Sequence, residues 1–380
     1  MRILIATVTA GAGHVQAAAA LEEAWRELRP RDALQRLDVL SFTPRLYRKV
    51  YVDGYVKIVE HAPELYAHVF KKTDNPLLVK KLTRFRRTVT RLTTNKFVGQ
   101  LRKFRPDAVL CTHYLPLEIL AALRAKAKQP LRPMTVSIIT DFEAHALWME
   151  AGVDLYCVAA EETKARLVAR GAADDKVVAT GIPISAKFGL SVDGPEVRKR
   201  MGLRDDLPVL LVLGGGFGLG PVAEVLTEIN KLPQIVQVVV VCGRNEELRR
   251  ELALQERRQP THILGFVNNM QELMAVADLV ISKPGGLTSS EALAMGKPIF
   301  VLNPIPGQEA ANSDFLLEHG AAGKANRVED LPYRLEKLLG SSKLREMAAA
   351  ARSLARPDAA VRICEAVIDR LERARESAVP

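Results

Sequence analysis

Aromatic residues, cysteines and long apolar runs are all scarce in this 380-residue chain. Aromatic side chains make up 5% of it, which gives no support to a stacking platform for single-stranded nucleic acid. The four cysteines lie far apart and form no C-x-x-C pair, so a disulfide scaffold and a zinc ribbon are disfavoured and a reducing compartment fits best. No stretch approaches the ~18 apolar residues of a membrane-spanning helix, and residues 1–8 predict a first strand rather than a signal peptide.

The residues that are present indicate a globular protein with two domains. The chain is 48% hydrophobic and 26% charged, which is the profile of a soluble protein rather than a disordered one. Its length exceeds what one compact core usually holds, so we expect two domains.

The net charge of +10 is concentrated in one segment. Residues 71–105 contain twelve Lys and Arg and a single acid, Asp74, for a net charge of +11, so the rest of the chain sums to −1. One basic segment in an otherwise neutral protein indicates one polyanionic partner at one face. Nucleic acid and an anionic membrane surface are the two candidates.

Short apolar runs alternate with helical stretches along the whole chain, which is typical of βαβ units and predicts an α/β fold with parallel sheets. The predicted strands of the first half lie at residues 2–8, 37–40, 108–112, 135–140 and 155–159. Those of the second half lie at 208–213, 235–242, 262–265, 279–282 and 298–302. We expect two similar Rossmann-like domains that face each other across a ligand-binding cleft.

Two segments lie outside this strand pattern. Residues 46–101 are helical in composition and form an insertion after the second strand. The tail at 343–375 predicts helix, and Pro357 is expected to divide it into two. The expected domains are an N-terminal domain at 1–185, a C-terminal domain at 205–355, and a final helix at 356–380 that packs back on the N-terminal domain.

A glycine turn follows the first predicted strand and opens a helix predicted at residues 15–28. Gly11-Ala12-Gly13-His14 lets backbone N–H groups approach an anion, and the helix dipole adds to that attraction. A plain nicotinamide site is disfavoured because Gln16 stands where the third glycine of the fingerprint belongs, although Asp38 keeps that possibility open. His14 either has a functional place at the cleft or simply caps the helix or makes a satisfied polar contact.

A second glycine turn, at residues 214–220, holds the same place in the second half of the chain. Five glycines in seven residues, followed by Pro221, describe a tight turn from strand to helix. The turn lacks the Gly-Lys-Ser/Thr of a Walker loop, and the next strand ends in Arg244 rather than in an acid. The spacing alone therefore indicates a generic anion-binding or close-packing turn.

Residues 282–291 repeat the order of strand, glycine turn and helix. Thr288 and Glu291 match a capping box, which needs no ligand. The functional alternative places the first free amides of this helix against a phosphate, with Glu291 accepting hydrogen bonds from two ribose hydroxyls. Gln308 and Glu309 follow the next strand on a rigid turn that suits the recognition of sugar hydroxyls.

The motifs are more specific in combination than singly. They are Gly-x-Gly-His at 11–14, Gly-Gly-Gly-x-Gly at 214–218, Gly-Phe-Val-Asn-Asn-Met at 265–270, Lys-Pro-Gly-Gly-Leu-Thr-x-x-Glu at 283–291 and Pro-Gly-Gln-Glu at 306–309. Over almost its whole length the chain resembles the diacylglycerol glycosyltransferases, the bacterial glucosyl and plant galactosyl enzymes that make membrane glycolipids. The motif that begins at Lys283 is more similar to that of the bacterial glucosyl enzymes.

The resemblance implies the GT-B fold, with the acceptor bound by the first Rossmann-like domain and the nucleotide-sugar donor by the second. It implies that a hexose, glucose in the first place, is transferred with inversion from a UDP-sugar to diacylglycerol, without a catalytic metal or another cofactor. The sequence has no Asp-x-Asp motif of the kind that holds a metal diphosphate. The donor-binding residues implied are Gly13, Gly216, Phe217, Arg244, Phe266, Val267, Gly286, Leu287, Thr288, Glu291, Gln308 and Glu309. The acceptor-side residues implied are His113, His145 and Trp148, for which structural roles are the alternative.

The chemistry requires a base that takes the proton from the attacking hydroxyl. The family places its motif histidine at the cleft, so the resemblance implies this role for His14, whose neutral imidazole is available at pH 7. Asp141 is the alternative, either as the base or as the group that orients an imidazole. The helix N-terminus at Thr288 is expected to stabilise the departing UDP.

Diacylglycerol stays in the bilayer, so the resemblance implies a peripheral protein at the cytoplasmic face of the cell membrane. Anionic lipid rather than nucleic acid then becomes the expected partner of residues 71–105, since each Lys or Arg near such a surface contributes ~1 kcal/mol. A solvated basic face is the alternative. The apolar residues expected to enter the interface are Leu77, Leu78, Phe85, Val89, Leu92 and Phe97.

Three other functions remain open from the sequence. A lipid-linked cell-wall N-acetylglucosaminyl transferase has the same fold, and a UDP-sugar 2-epimerase also has paired Rossmann-like halves. The epimerase needs no lipid surface, so the basic segment argues against it. The third alternative is a catalytically weak UDP-sugar sensor.

Overall fold

The computed structural model describes residues 1–9, 11–75, 94–125, 132–215, 220–302 and 304–377. The chain divides into two compact units. The first comprises Met1–Ala186, Pro306–Gln308 and Pro357–Pro380, and the second comprises Lys187–Ile305 and Glu309–Arg356.

The first unit is built on a parallel six-stranded sheet in the order β2-β1-β3-β4-β5-β6. Its first strand is apolar and has no exposed surface from Ile3 to Ala6, as expected for a strand that is covered on both faces. The strands are β1 (Arg2–Thr7), β2 (Ala33–Asp38), β3 (Ala108–Cys111), β4 (Met134–Ile138), β5 (Leu155–Val158) and β6 (Val177–Ala179).

The helices of the first unit include the last helix of the chain. That helix, α15 (Ala359–Glu376), packs against α1 (Ala12–Leu28). Cys364 of α15 is buried in the same apolar cluster as Trp25 of α1. The other helices of this unit are α2 (Arg45–His61), α3 (Pro63–Thr73), α4 (Asn95–Phe104), α5 (Tyr114–Arg124) and α6 (Glu161–Ala169).

The second unit repeats the architecture, with a parallel six-stranded sheet in the order β12-β11-β10-β7-β8-β9. Its strands are β7 (Val209–Leu213), β8 (Gln237–Val241), β9 (Thr261–Leu264), β10 (Leu279–Ser282), β11 (Ile299–Leu302) and β12 (Ala322–Ala325). Its helices are α7 (Gly194–Met201), α8 (Val222–Ile229), α9 (Glu246–Ala253), α10 (Met270–Val276), α11 (Gly286–Ala294), α12 (Gln308–Glu318), α13 (Leu331–Leu339) and α14 (Lys343–Leu354). The predicted α/β fold of two parallel sheets is confirmed, and so is the helix break at Pro357.

The second strand differs most from its prediction. It runs from Ala33 to Asp38 rather than over residues 37–40, and it pairs with β1 from Arg2 to Thr7. The strand lies at the sheet edge and carries polar residues, so apolar pattern alone does not detect it. Val39–Phe42 forms a 3₁₀ helix, because the Asp38 carboxylate accepts a hydrogen bond from the Leu40 amide at 3.0 Å. Two further edge strands, β6 and β12, were not predicted, because β6 is only three residues long and β12 contains a glycine and a lysine in place of an apolar run.

Only the two ends of the basic segment can be placed. Residues 76–93 lie outside the described residues, and with them the predicted interfacial residues Leu77, Leu78, Phe85, Val89 and Leu92. Phe97 is described, and its expected place at a lipid interface is wrong, because its side chain is fully buried 6.0 Å from the Phe42 ring. In the described part of the chain, no helix is long and apolar enough to cross a membrane.

Candidate active site

Each sheet has one point at which its strand order reverses, and ligands of α/β proteins bind at such points. In the first unit this point lies between β1 and β3, and in the second it lies between β7 and β10. The loops that follow these four strands begin at Val8, Thr112, Gly214 and Lys283. The predicted glycine motifs therefore stand where the topology of each sheet favours a ligand.

His14 lies in the first turn of α1, directly above the β1–β3 switch point. Gly11 occupies the N-cap with φ +140°, a conformation that favours glycine, so His14 does not cap the helix. The other structural alternative, a polar contact of its ring, is present. The Thr7 hydroxyl donates to the His14 carbonyl oxygen at 3.0 Å, which fixes the backbone of this turn. The imidazole Nδ1 lies 3.1 Å from the Thr140 hydroxyl at the end of β4.

The His14 imidazole is neutral at physiological pH. Desolvation lowers its pKa to about 4, and a hydrogen bond with the Thr112 backbone only partly opposes that effect. A neutral imidazole can accept a proton, which is the property that the predicted base requires. Asp141, the alternative base, is partly buried and directly follows Thr140 in the chain.

His113 and Trp148 lie beside His14. The His113 ring meets the His14 ring edge-on with centroids 4.8 Å apart, and Trp148 lies 6.4 Å from each. His113 is the N-cap of α5, where its Nδ1 accepts a hydrogen bond from the Leu115 amide at 3.0 Å. When neutral, the ring therefore carries its proton on Nε2. Burial and the neighbouring His14 hold the pKa of His113 well below its usual value.

His145 has a local structural partner instead. Its Nδ1 accepts from the Leu147 amide at 3.1 Å, so it caps the 3₁₀ helix Ala146–Trp148. Its Nε2 lies 3.1 Å from the Phe70 carbonyl oxygen, and its ring centroid lies 4.4 Å from that of Phe70. His145 thus links α3 to the segment that carries Trp148.

Two tyrosines were not predicted as members of this site. The hydroxyls of Tyr51 on α2 and Tyr114 on α5 are 2.7 Å apart. The Tyr114 ring lies 4.2 Å from His113, and the Tyr51 ring lies 6.3 Å from it. The only sequence signals were the helical spacing of Tyr47 and Tyr51 and the position of Tyr114 directly after His113.

The glycine turn of the second unit borders a cleft at the β7–β10 switch point. The cleft is small and mostly apolar: Gly214, Gly220, Ser282 and Lys283 line it together with apolar residues that include Val222 and Ile281. Gly215 and Gly220 have backbone φ values of +75° and +143°, which residues other than glycine rarely adopt. Gly216 and Phe217 lie outside the described residues, so their donor roles remain predictions from the sequence.

Lys283 is the residue of this cleft whose role was missed. An ideal Cβ built on Gly220 would lie 3.7 Å from Lys283 Cε, so the lysine side chain extends along the glycine turn. Among the residues that the structure describes, Lys283 forms no ion pair. A cation without a carboxylate partner suits an anionic ligand.

The helix that follows Lys283 begins earlier than the capping box requires. Its first residue is Gly286 and its N-cap is Gly285, with no side-chain hydrogen bond at the cap. Thr288 and Glu291 therefore lie inside α11, and the capping-box interpretation is wrong. The amides of Gly286, Leu287 and Thr288 have no acceptor within the helix, so they are available to an anion.

Glu291 stands one turn into α11 without a structural partner. In the described part of the chain its carboxylate makes no hydrogen bond or ion pair. Desolvation raises its pKa to about 8, which the positive charge of Lys187 only partly offsets. The Glu291 side chain is only partly buried, so its carboxyl group can be reached by a ligand, and a polar ligand would supply the hydrogen bonds that it lacks.

Of the remaining predicted donor residues, Phe266 is exposed, whereas Gln308 and Glu309 each accept a hydrogen bond from within the protein. Arg244 lies over the ring of Phe266 at 5.5 Å, and Phe266 is 59% exposed, so an aromatic face is open to a ligand. Val267 is partly buried. Gln308 Oε1 accepts from the Tyr66 hydroxyl at 2.6 Å. Glu309 closes its own turn, since one carboxylate oxygen accepts from the Ile305 amide at 2.8 Å.

Similar solved structures have the GT-B fold of nucleotide-sugar enzymes. The crystal structure of Acinetobacter baumannii MurG is 19% identical with a TM-score of 0.60, over 97% of this chain and 99% of that one. A putative UDP-N-acetylglucosamine 2-epimerase from Listeria monocytogenes is 15% identical with a TM-score of 0.62, over 98% of this chain and 97% of that one. At these identities the likeness defines the fold class alone.

Sequence comparison is more specific. The monogalactosyldiacylglycerol (MGDG) synthase family matches residues 14–184, and the glycosyltransferase family 28 C-terminal domain matches residues 209–363. A processive diacylglycerol beta-glucosyltransferase of Bacillus cereus (strain ATCC 10987 / NRS 248) is 30% identical over 97% of this chain and 93% of its own length. The chain belongs to the diacylglycerol glycosyltransferases of glycosyltransferase family 28.

Proposed function

We propose that this protein transfers a hexose, glucose in the first place, from a UDP-sugar to the hydroxyl of diacylglycerol at a membrane surface. Family membership supports the donor and acceptor classes, and the relative's name supports glucose. The observation that carries the proposal is the unpaired, desolvated Glu291 one turn above the free amides of α11. A ribose next to a diphosphate would meet both groups.

The donor is held by the second unit in this proposal. The amides of Gly286, Leu287 and Thr288 bind the diphosphate, and Lys283 adds a full positive charge beside the glycine turn. Glu291 binds the ribose hydroxyls, and the open face of Phe266 packs on the uracil. Lys283 and the dipole of α11 together offset the negative charge that develops on the departing UDP.

The acceptor is activated by the first unit. The acceptor oxygen forms a bond to the anomeric carbon while the bond from that carbon to the diphosphate oxygen breaks, and the electron pair leaves with UDP. The hydroxyl proton passes to the neutral His14 imidazole, which the Thr140 hydroxyl orients. Attack from the face opposite the leaving group inverts the anomeric centre. Trp148 and His113 provide an apolar wall beside the reacting hydroxyl.

A panel of donors tests the proposal. The purified protein is incubated with diacylglycerol vesicles and, in turn, UDP-glucose, UDP-galactose and UDP-N-acetylglucosamine, and lipids and nucleotides are identified by mass spectrometry and NMR. We expect a hexosyl lipid with UDP-glucose. Conversion of UDP-N-acetylglucosamine into its epimer without lipid would identify an epimerase. Donor binding without any product would identify a sensor.

The N-acetylglucosaminyl transferase alternative needs a separate arm of the same experiment. Its acceptor is a lipid-linked cell-wall precursor, so vesicles are also prepared with a polyprenyl-diphosphate saccharide in place of diacylglycerol. A product only in these vesicles, and only with UDP-N-acetylglucosamine, would replace the proposed function.

A further inference from the structure

Exposed large apolar side chains are concentrated on two helices of the first unit. Ten such side chains occur in the described residues, and five of them lie on α2 and α3. These helices span only residues 45–73, and single exposed apolar residues elsewhere need no explanation. The five are Leu46 (75% exposed), Val50 (65%), Ile58 (43%), Leu65 (54%) and Val69 (49%).

The two helices share one arrangement, in which four of the five outward aliphatic residues directly precede an inward aromatic one, Ile58 being the exception. On α2, Leu46 precedes Tyr47 and Val50 precedes Tyr51. The two tyrosine rings stack with their centroids 5.8 Å apart, and the Tyr51 ring lies beside His113. Leu46 and Val50 on α2 are spaced four residues apart, as are Leu65 and Val69 on α3, so each pair lies on one face of its helix. Ile58 follows Val50 by eight residues, about two further turns along α2.

The second helix repeats this arrangement. On α3, Leu65 and Val69 precede Tyr66 and Phe70, and Phe70 contacts His145. One side of each helix therefore belongs to the candidate active site and the other side carries exposed aliphatic residues.

The charges around this face indicate its partner. Arg45, Arg48 and Lys49 are exposed on α2, and Lys71 and Lys72 are exposed at the end of α3. Glu64, in the first turn of α3, is an exposed acid beside Leu65, and the five exposed cations outnumber it. Asp74, the acid that follows α3, is paired with Arg170 at 2.7 Å. Exposed aliphatic residues flanked by Lys and Arg match a membrane interface with anionic headgroups.

We infer that the outer faces of α2 and α3, defined by Leu46, Val50, Ile58, Leu65 and Val69, insert into the headgroup region of an anionic bilayer. The inference rests on the proposed function, because a lipid acceptor gives these helices a reason to join the bilayer to the reaction site. A helix is about 10 Å across. Insertion of one side therefore brings the glycerol hydroxyl of a membrane lipid within one helix diameter of the tyrosines beside His113.

A pair of matched double variants tests the inference. Leu46→Gln/Leu65→Gln alters the proposed face, and Leu190→Gln/Leu254→Gln removes two comparably exposed leucines from the second unit. Vesicles of phosphatidylglycerol and phosphatidylcholine without diacylglycerol are sedimented with each protein, so binding is measured without turnover. We expect roughly 100-fold weaker binding for the first variant, since burial of each of its two leucines is worth about one power of ten or more. The control variant should bind as tightly as the parent. Equal vesicle binding by the two variants overturns the inference.

A label at the face provides the second readout. All four native cysteines are buried, so Val69→Cys accepts a polarity-sensitive fluorophore selectively, and Leu254→Cys serves as the control. We expect a blue shift and quenching by brominated lipid only at position 69. Label at position 69 that is already shielded without lipid, by another part of the chain or by a second copy, overturns the inference.

The outcome separates this inference from the proposed function. Vesicle binding that depends on Leu46 and Leu65, in a protein that forms no glycolipid from any donor, would refute the proposed function while supporting the lipid face. Glycolipid synthesis by a protein whose vesicle binding does not change when Leu46 and Leu65 are replaced would support the proposed function and refute the lipid-binding face.

Discussion

Donor affinity should depend on pH through a single carboxyl group, Glu291. Its pKa is raised to about 8 in the free protein because the carboxylate is desolvated. If the ribose hydroxyls donate to the ionised form, binding requires loss of that proton. The apparent Kd then exceeds its limiting value by roughly 100-fold at pH 6, roughly tenfold at pH 7 and about twofold at pH 8. The sign follows from the raised pKa: affinity increases with pH and becomes constant above about pH 8.5.

UDP-glucose is the probe for this test, because its diphosphate is esterified at both ends and does not titrate in this range. Calorimetry from pH 6 to pH 9 measures the Kd, and buffers of different ionisation enthalpy measure the proton released. Glu291→Gln should remove the pH dependence and weaken binding at pH 9 by ~1.5–3 kcal/mol, the value of a hydrogen bond to a charged group. Glu247→Gln, at an exposed glutamate of the same unit, should change neither property. Parent affinity that is constant from pH 6 to pH 9, or equal affinity of Glu291→Gln and parent, would refute the assigned role.

Three other expectations concern the base, the cation and the basic segment. His14→Ala should reduce kcat by ~10²–10⁴-fold with UDP affinity unchanged, and loss of UDP binding instead would leave Asp141 as the leading base. Lys283→Met should weaken UDP binding by roughly tenfold while Lys283→Arg retains most of it; equal binding by both would place the lysine outside the donor site. A variant with five cations of the 71–105 segment changed to Gln should lose salt-sensitive binding to anionic vesicles by up to ~5 kcal/mol and keep UDP binding, and vesicle binding equal to the parent's would exclude this segment as an anchor. The five are Lys80, Lys81, Arg84, Arg86 and Arg87.

The buried strands were the part of the fold that pattern alone could predict. β10 was predicted at its observed bounds, 279–282, because a strand covered on both faces of a parallel sheet is apolar without interruption. The edge strands β2 and β12 lack that signal, because one side of each has no strand partner and polar residues are tolerated there, and β6 is apolar but only three residues long. The fourth edge strand, β9, was predicted within one residue of its bounds. Sequence pattern therefore detected the centre of each sheet better than its edges.

The site was predictable where backbone geometry requires a particular residue. Glycine turns mark the places where strands end and a positive φ is needed, and this led directly to His14 and to the turn before α11. The residues that were missed act through side-chain packing between distant segments. Tyr51 and Tyr114 are 63 residues apart and meet through their hydroxyls, which no local spacing reveals.

The central claim is that this protein makes a glycolipid from UDP-glucose and diacylglycerol with inversion. The most direct measurement is the anomeric configuration of the product, read by NMR from the first glycolipid formed by the purified protein on diacylglycerol vesicles. The proposed mechanism predicts a β-linked glucosyl diacylglycerol from the α-linked donor, formed in equal amount with UDP. An α-linked product would contradict direct attack by the lipid hydroxyl, and release of UDP and free glucose without any glycolipid would contradict the assigned acceptor.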